Sequence, residues 1–141
     1  MARERKKQSV AFRFDGDLVE RLRRRAAESG AAQTELAQRY LGEGLRRDEH
    51  PSIYFRDGEA GRRPALLGSR LDVDQVISTI RQNGNSVEAA AQYLEVPPEQ
   101  VEAALRYYAD FKDEVDRWAE HVAGIAAREL ERSRRRDQAL S

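Results

Sequence analysis

The residues best suited to chemistry lie near the start of the chain. In Lys7-Gln8-Ser9-Val10-Ala11-Phe12-Arg13-Phe14, small or polar residues alternate with large apolar ones. Period two predicts a strand with Val10, Phe12 and Phe14 on one face and Ser9, Ala11 and Arg13 on the other. Arginine can pair bidentately with a guanine edge in a major groove, serine can bond to either base type, and alanine can touch a thymine methyl. Lys7, with Arg3, Arg5 and Lys6, is suited to phosphates, whose recognition is independent of sequence. The plain alternative for Arg13 is a solvated charge. We favour base contact because the apolar face accounts for association and leaves the other face free.

Other chemistries are poorly supplied. The 141 residues contain no Cys and only two His, His50 and His121. Disulfides, thiolate metal sites and thiol nucleophiles are therefore excluded, and a histidine-rich metal site is not expected. The chain has no phosphate-binding glycine loop, no GxSxG elbow and no HExxH. We expect no catalytic residue, no metal and no cofactor. Hydrophobic residues make up 40% and charged residues 35%, and no run approaches the ~20 apolar residues of a membrane span. The N-terminus has no apolar segment of the kind that marks a secretory signal. A cytoplasmic protein with no membrane partner is expected.

The elements that must position Arg13 follow directly. Asp15-Gly16-Asp17 ends the strand and offers a helix cap. Leu18, Val19, Leu22 and Ala26 recur at helical spacing up to Ser29-Gly30, a natural stop. A second helix is predicted from about Gln33 to Arg46, with Leu36, Ala37, Tyr40, Leu41 and Leu45 on one side. About 40 residues with one strand cannot cover three large apolar side chains or satisfy that strand's backbone. With cysteine and metal excluded, association with a second copy remains: a homodimer whose paired strands form a two-stranded antiparallel ribbon over four helices.

The zero net charge conceals an asymmetry. Residues 1–47 carry 12 Lys/Arg against 7 Asp/Glu, and residues 48–141 carry 13 against 18. A basic unit joined to an acidic one implies different partners, with nucleic acid the candidate for the first.

The segment QSVAFRFDGDLVERLRRRAAESGAAQTELAQRYLGEGLRR resembles ribbon-helix-helix DNA-binding domains of the Arc/MetJ/CopG type. The likeness rests on the alternating strand ending in Arg13-Phe14, the acidic helix start, Gly30, and the opening Gln33-Thr34-Glu35-Leu36. It implies that Ser9, Ala11 and Arg13 read bases in double-stranded operator DNA, with Lys7 nearby, and that Gln33 and Thr34 hold a phosphate. Ala32 stands where that family usually has a Ser or Thr cap, a loss of ~1 kcal/mol.

Beyond a charged linker, Arg47-Asp48-Glu49-His50-Pro51, a second unit is predicted. Ile53–Arg56 and Pro64–Leu67 read as a short β-hairpin around Asp57–Gly61. Asp72 caps one helix and Ser86 another, and Pro98 opens a third at its first position. A long helix starts near Asp113, with Val115, Trp118, Val122 and Ile125 as its apolar seam. Ser86 to Leu105 has a helix-turn-helix layout. However, residues 48–127 hold 15 acids against 8 bases, which repels a polyanion. This unit reads as a protein-binding module.

Residues from His50 to Asp116 resemble a family of small bacterial domains of unknown function with a helix-turn-helix-like core. The likeness is carried by Ile53, Gly68-Ser69-Arg70-Leu71-Asp72-Val73, Ser86 and Val101–Tyr108. It implies an antitoxin of VapB type acting beside a PIN-like ribonuclease toxin. Trp118, Leu130, Arg132, Arg135 and Arg136 are the toxin-binding candidates, because arginine suits an acidic metal-binding nuclease pocket. A solvated helix end is their plain alternative.

The expected fold is mainly α: a basic arm and ribbon-helix-helix domain over 1–47, a helix-turn-helix-like domain over 50–112, and a long helix with an Arg-rich tail over 113–141. The expected function is a DNA-binding transcriptional regulator, the antitoxin of a type II toxin–antitoxin pair. The alternatives are a stand-alone repressor or plasmid-maintenance protein, and a dimeric scaffold that binds no DNA.

Overall fold

A computed structural model describes residues 6–141, so the basic-arm residues Arg3 and Arg5 lie outside the described residues. The described chain is mainly helical, with a small antiparallel sheet, and forms two units, 1–49 and 50–141.

The first unit contains α1 (Gly16–Ser29) and α2 (Gln33–Glu49). Asp15 precedes α1 without a side-chain cap bond, and Gly30 closes it in the left-handed region at φ 70°. That conformation costs glycine little, because it has no Cβ. Residues 6–15 are neither helix nor strand. The strand expected over 8–14 is thus not formed in the single chain, since a ladder needs a second strand to receive its hydrogen bonds. Its side-chain alternation is visible nonetheless. The rings of Phe12 and Phe14 stack with centroids 5.7 Å apart, as two residues on one side of the backbone can.

Among the described residues of this unit, only Ala26 and Leu36 are buried, whereas Val10, Phe12, Phe14, Leu18, Tyr40, Leu41 and Leu45 are exposed. The predicted linker also needs correction. Arg47, Asp48 and Glu49 are the last turn of α2, and His50 belongs to the second unit. The helix outruns its expected end at Arg46 because solvated charges there offer no stop signal; Pro51 ends it.

The second unit runs β1 (Ile53–Arg56), β2 (Arg63–Leu66), α3 (Val73–Gln82), α4 (Val87–Leu94), α5 (Pro98–Asp110) and α6 (Lys112–Ala139). The strands pair Ile53 with Leu66 and Arg56 with Arg63. The second strand begins at Arg63, one residue before its expected start. Local chemistry sets the helix starts. Gln75 Oε1 accepts the Asp72 N–H at 3.0 Å, the reach-back half of a capping box. Ser86 Oγ accepts the Ala89 N–H at 3.1 Å, and Pro98 opens α5. Between α4 and α5 the chain turns at Glu95, which takes φ 57°.

The core joins Ile53 and Leu66 of the hairpin to Val73, Val76, Ile77 and Ile80 of α3, with Ala90, Val101, Ala104 and Tyr107. Val115 brings the start of α6 into this core. The long helix is therefore part of the second unit, and starts at Lys112 rather than Asp113. Its 28 residues span about 42 Å. Beyond Ile125 its residues are exposed apart from a half-buried Ser133.

Candidate nucleic-acid interface and the clusters around it

In the first unit, Lys7, Ser9, Ala11 and Arg13 are all exposed in a segment without helix or strand. All four fall on one side of the alternation, and no strand among the described residues fixes that side as a surface. Val10, Phe12 and Phe14 are 65%, 62% and 57% exposed. Alternation normally sends such side chains into a core; here the single chain supplies no core for them. Covering each would contribute ~1.5–3 kcal/mol.

Gln33 and Thr34 stand exposed at the start of α2. The first intrahelical bond runs from the Leu36 N–H to the Ala32 carbonyl at 3.0 Å. Ala32 has no side-chain acceptor, so it cannot take up the first-turn amides as Ser or Thr would. A phosphate could accept from them.

In the second unit, the exposed side of α5 carries Glu99, Glu102, Leu105 and Arg106. Two carboxylates on the helix that would enter a groove do not suit a polyanion.

Trp118 lies against its own hairpin. Its ring sits 3.4 Å from the position a Cβ on Gly61 would take. Gly61 has φ 127°, a backbone that side chains rarely adopt. The Arg63 guanidinium stands 5.8 Å from the indole centroid, and His121 Nε2 donates to the Ala60 carbonyl at 2.9 Å. The indole therefore docks α6 onto the hairpin tip. Leu130, Arg132, Arg135 and Arg136 lie farther along the helix and are exposed. Arg132 and Arg135 pair within the helix to Glu129 at 3.9 Å and Glu131 at 3.3 Å; Arg136 pairs with Asp137. Such exposed pairs contribute little, which leaves these guanidiniums available to a stronger partner. Trp118 and the tail arginines thus occupy different parts of α6.

Three further clusters are not evident from the sequence. Asp72 stands between two arginines: Arg56 Nη2 is 2.6 Å from Oδ1, and Arg63 Nε donates to Oδ2 at 3.3 Å. Arg56 also donates to the Arg70 carbonyl at 3.2 Å. The hairpin is thereby tied to the start of α3. Burial, then the charge of Asp72, raises the pKa of the neighbouring Asp74; the backbone amides of Asp74 and Gln75 oppose that shift.

The Tyr108 hydroxyl forms a second cluster. It accepts from Arg81 and donates to Asp116, both at 2.7 Å, while Lys112 meets the other Asp116 oxygen at 2.7 Å. Lys112, then Tyr108, holds the Asp116 carboxyl below its usual range. Its contribution to stability is present at neutral pH and lost as pH falls through that lowered pKa. Third, His50 Nε2 lies 2.8 Å from Asp110, with its ring edge-on to Tyr107. Within these clusters, only the Lys112–Asp116 spacing of four carries a sequence signal.

Among the described residues, no group of His, Cys, Asp and Glu could hold a metal, and no helix is long and apolar enough to cross a membrane. No family model, curated protein or solved structure matches the chain.

Proposed function

We propose that this protein is a homodimeric DNA-binding regulator whose first unit reads operator DNA and whose second unit and tail neutralise a toxin. One observation carries the DNA reading. The apolar half of residues 8–14 is uncovered in a single chain, beside a small-polar half containing Arg13. A second copy covers the first half and stiffens the second into a ribbon of major-groove width. The base readers are Ser9, Ala11 and Arg13; Lys7 contacts phosphate, and Gln33 and Thr34 hold one at the start of α2.

The test is a binding titration on operator duplex. Arg13→Ala removes a guanine contact on both subunits, each worth ~1–3 kcal/mol, and should erase the difference between operator and unrelated DNA. Lys7→Ala should weaken all duplexes alike and make the salt dependence shallower, by roughly one unit of slope for each phosphate no longer neutralised. Undiminished operator affinity in Arg13→Ala overturns the assignment.

The antitoxin part is supported by α6, which continues 14 residues past Ile125 to Ala139 and carries exposed Leu130, Arg132, Arg135 and Arg136. Guanidiniums pair bidentately with the carboxylates of a PIN-like nuclease centre. A chain ending after Ala127 should keep operator binding and lose rescue of cells that express the partner nuclease. Full rescue by the truncated chain places the toxin site on residues 50–112 instead.

A further inference from the structure

The attachment of α6 to the rest of the second unit is uneven along its length. Its start is firmly held: Val115 is in the core, and Asp116 accepts from the Tyr108 hydroxyl of α5. One turn on, the Trp118 ring covers Gly61 at the hairpin tip, and His121 donates to the Ala60 carbonyl. Where α6 meets α3, two neighbouring polar atoms are buried without a hydrogen-bond partner. They are Trp118 Nε1, a donor, and Asp74 Oδ1, an acceptor.

A buried polar atom without a partner has given up its water for nothing in return. If α6 tilts away, both atoms regain water. What is lost is the ring contact with Gly61, the Arg63 guanidinium over the indole and one hydrogen bond from His121. Arg63 does not depend on α6, because it also donates to Asp72 and to the Gly61 carbonyl. The docked position is therefore opposed by the very groups it buries.

We propose that α6 is a hinged strap: it pivots about Val115 and Asp116 between a docked position, with the Trp118 indole on Gly61, and a lifted one in which Trp118 Nε1 and Asp74 Oδ1 are hydrated. Asp116 to Ala139 spans about 35 Å, so each 10° or so of tilt carries Ala139 through about 6 Å. The tail arginines travel with it. The motion does not depend on the toxin reading; under that reading it sets where the tail is presented.

The Asp74 carboxylate sets the balance. The charged groups around it are Asp72 on α3, Arg56 and Arg63 on the hairpin, and His121 on α6. Both arginines are taken up by Asp72, and Asp72 itself repels Asp74. Burial raises the Asp74 pKa, and α6 contributes to that burial. The protonated form thus favours the docked position and the ionised form the lifted one. Docking strengthens as pH falls through the raised pKa and weakens as pH rises above it. The anchor at Asp116 fails only at lower pH, through a lowered pKa, so the two windows are separate.

Trp118 is the one tryptophan of the chain, so acrylamide quenching of the full chain's fluorescence reads the position of the indole. Asp74→Asn removes the charge and should lower the quenching constant at neutral pH at least about 2-fold. Asp74→Ala removes the unpartnered acceptor and should act in the same direction. His121→Ala loses the bond to Ala60 and should raise the constant. As pH falls from about 7 to about 4.5, the unmodified chain should become harder to quench and Asp74→Asn should not. His121 is common to both chains, so its own titration cancels in that comparison, and circular dichroism shows that the helices persist. Stronger quenching in Asp74→Asn overturns the proposal, because the carboxylate would then be holding the indole in place. An unmodified chain that follows Asp74→Asn at every pH also overturns it. So does quenching unchanged in all three variants, the mark of a buried water that satisfies both atoms and a strap that stays down. Rescue from a toxin is not read here, so the failure of that reading is a separate result.

Discussion

Replacing Phe12 with Asp should unfold residues 6–49 while leaving the helices of the second unit formed. In the single chain Phe12 is 62% exposed, so a carboxylate there would cost almost nothing if the chain worked alone. In a dimer the same change removes two buried rings, ~1.5–3 kcal/mol each, and buries two carboxylates with no counter-charge. The first unit cannot absorb this loss, because among its described residues only Ala26 and Leu36 are buried. The expected readout is loss of the helical signal of α1 and α2, which contain 14 and 17 residues, together with loss of the dimer in sedimentation. A variant as helical as the original would contradict dimerisation as the cover for Val10, Phe12 and Phe14.

The second large effect belongs to the other unit. Asp72→Ala removes the carboxylate shared by Arg56 and Arg63, whose side chains are 28% and 16% exposed. Breaking a buried pair from one side costs ~3–5 kcal/mol, because the remaining charge stays desolvated. Here one carboxylate serves two guanidiniums and also stands at the start of α3. The denaturant midpoint of residues 50–141 should fall by a corresponding amount with an unchanged slope. Asp72→Asn keeps the shape and one acceptor oxygen, and should fall between the two. A change below ~0.5 kcal/mol in Asp72→Ala would show that water solvates both arginines already.

What is legible in the sequence is local. The helix starts at Asp72, Ser86 and Pro98 are each fixed by one residue and its near neighbours, and each lies where its residue type predicts. The hairpin is recognisable from two apolar segments around Asp57–Gly61. What is not legible depends on residues far apart in the chain. Nothing in the separate segments signals that Arg56, Arg63 and Asp72 meet, nor that Tyr108 joins Arg81 to Asp116. Trp118 illustrates the same limit. Its place in an apolar seam is clear, but Gly61, the residue that receives its ring, lies 57 positions away. Residues 8–14 differ in kind: their alternation is plain at Val10, Phe12 and Phe14, yet they form no strand here, and the proposed ribbon would take its hydrogen-bond partner from a second copy. At Arg47–Glu49, solvated charges read as linker although they continue a helix, because charge alone does not separate a helix end from a loop.

The most direct measurement of the central claim is selection of duplex DNA from a random pool by the full chain, followed by the mass of the selected complex. A dimeric ribbon carrying two copies of Arg13 predicts enrichment of a site with two-fold symmetry, guanine at a matched position in each half, and an even number of chains per duplex. Enrichment should collapse in Arg13→Ala. A pool that remains random under low-salt conditions, where charge alone would already hold the protein to DNA, would contradict the claim and leave the first unit as a dimerisation element.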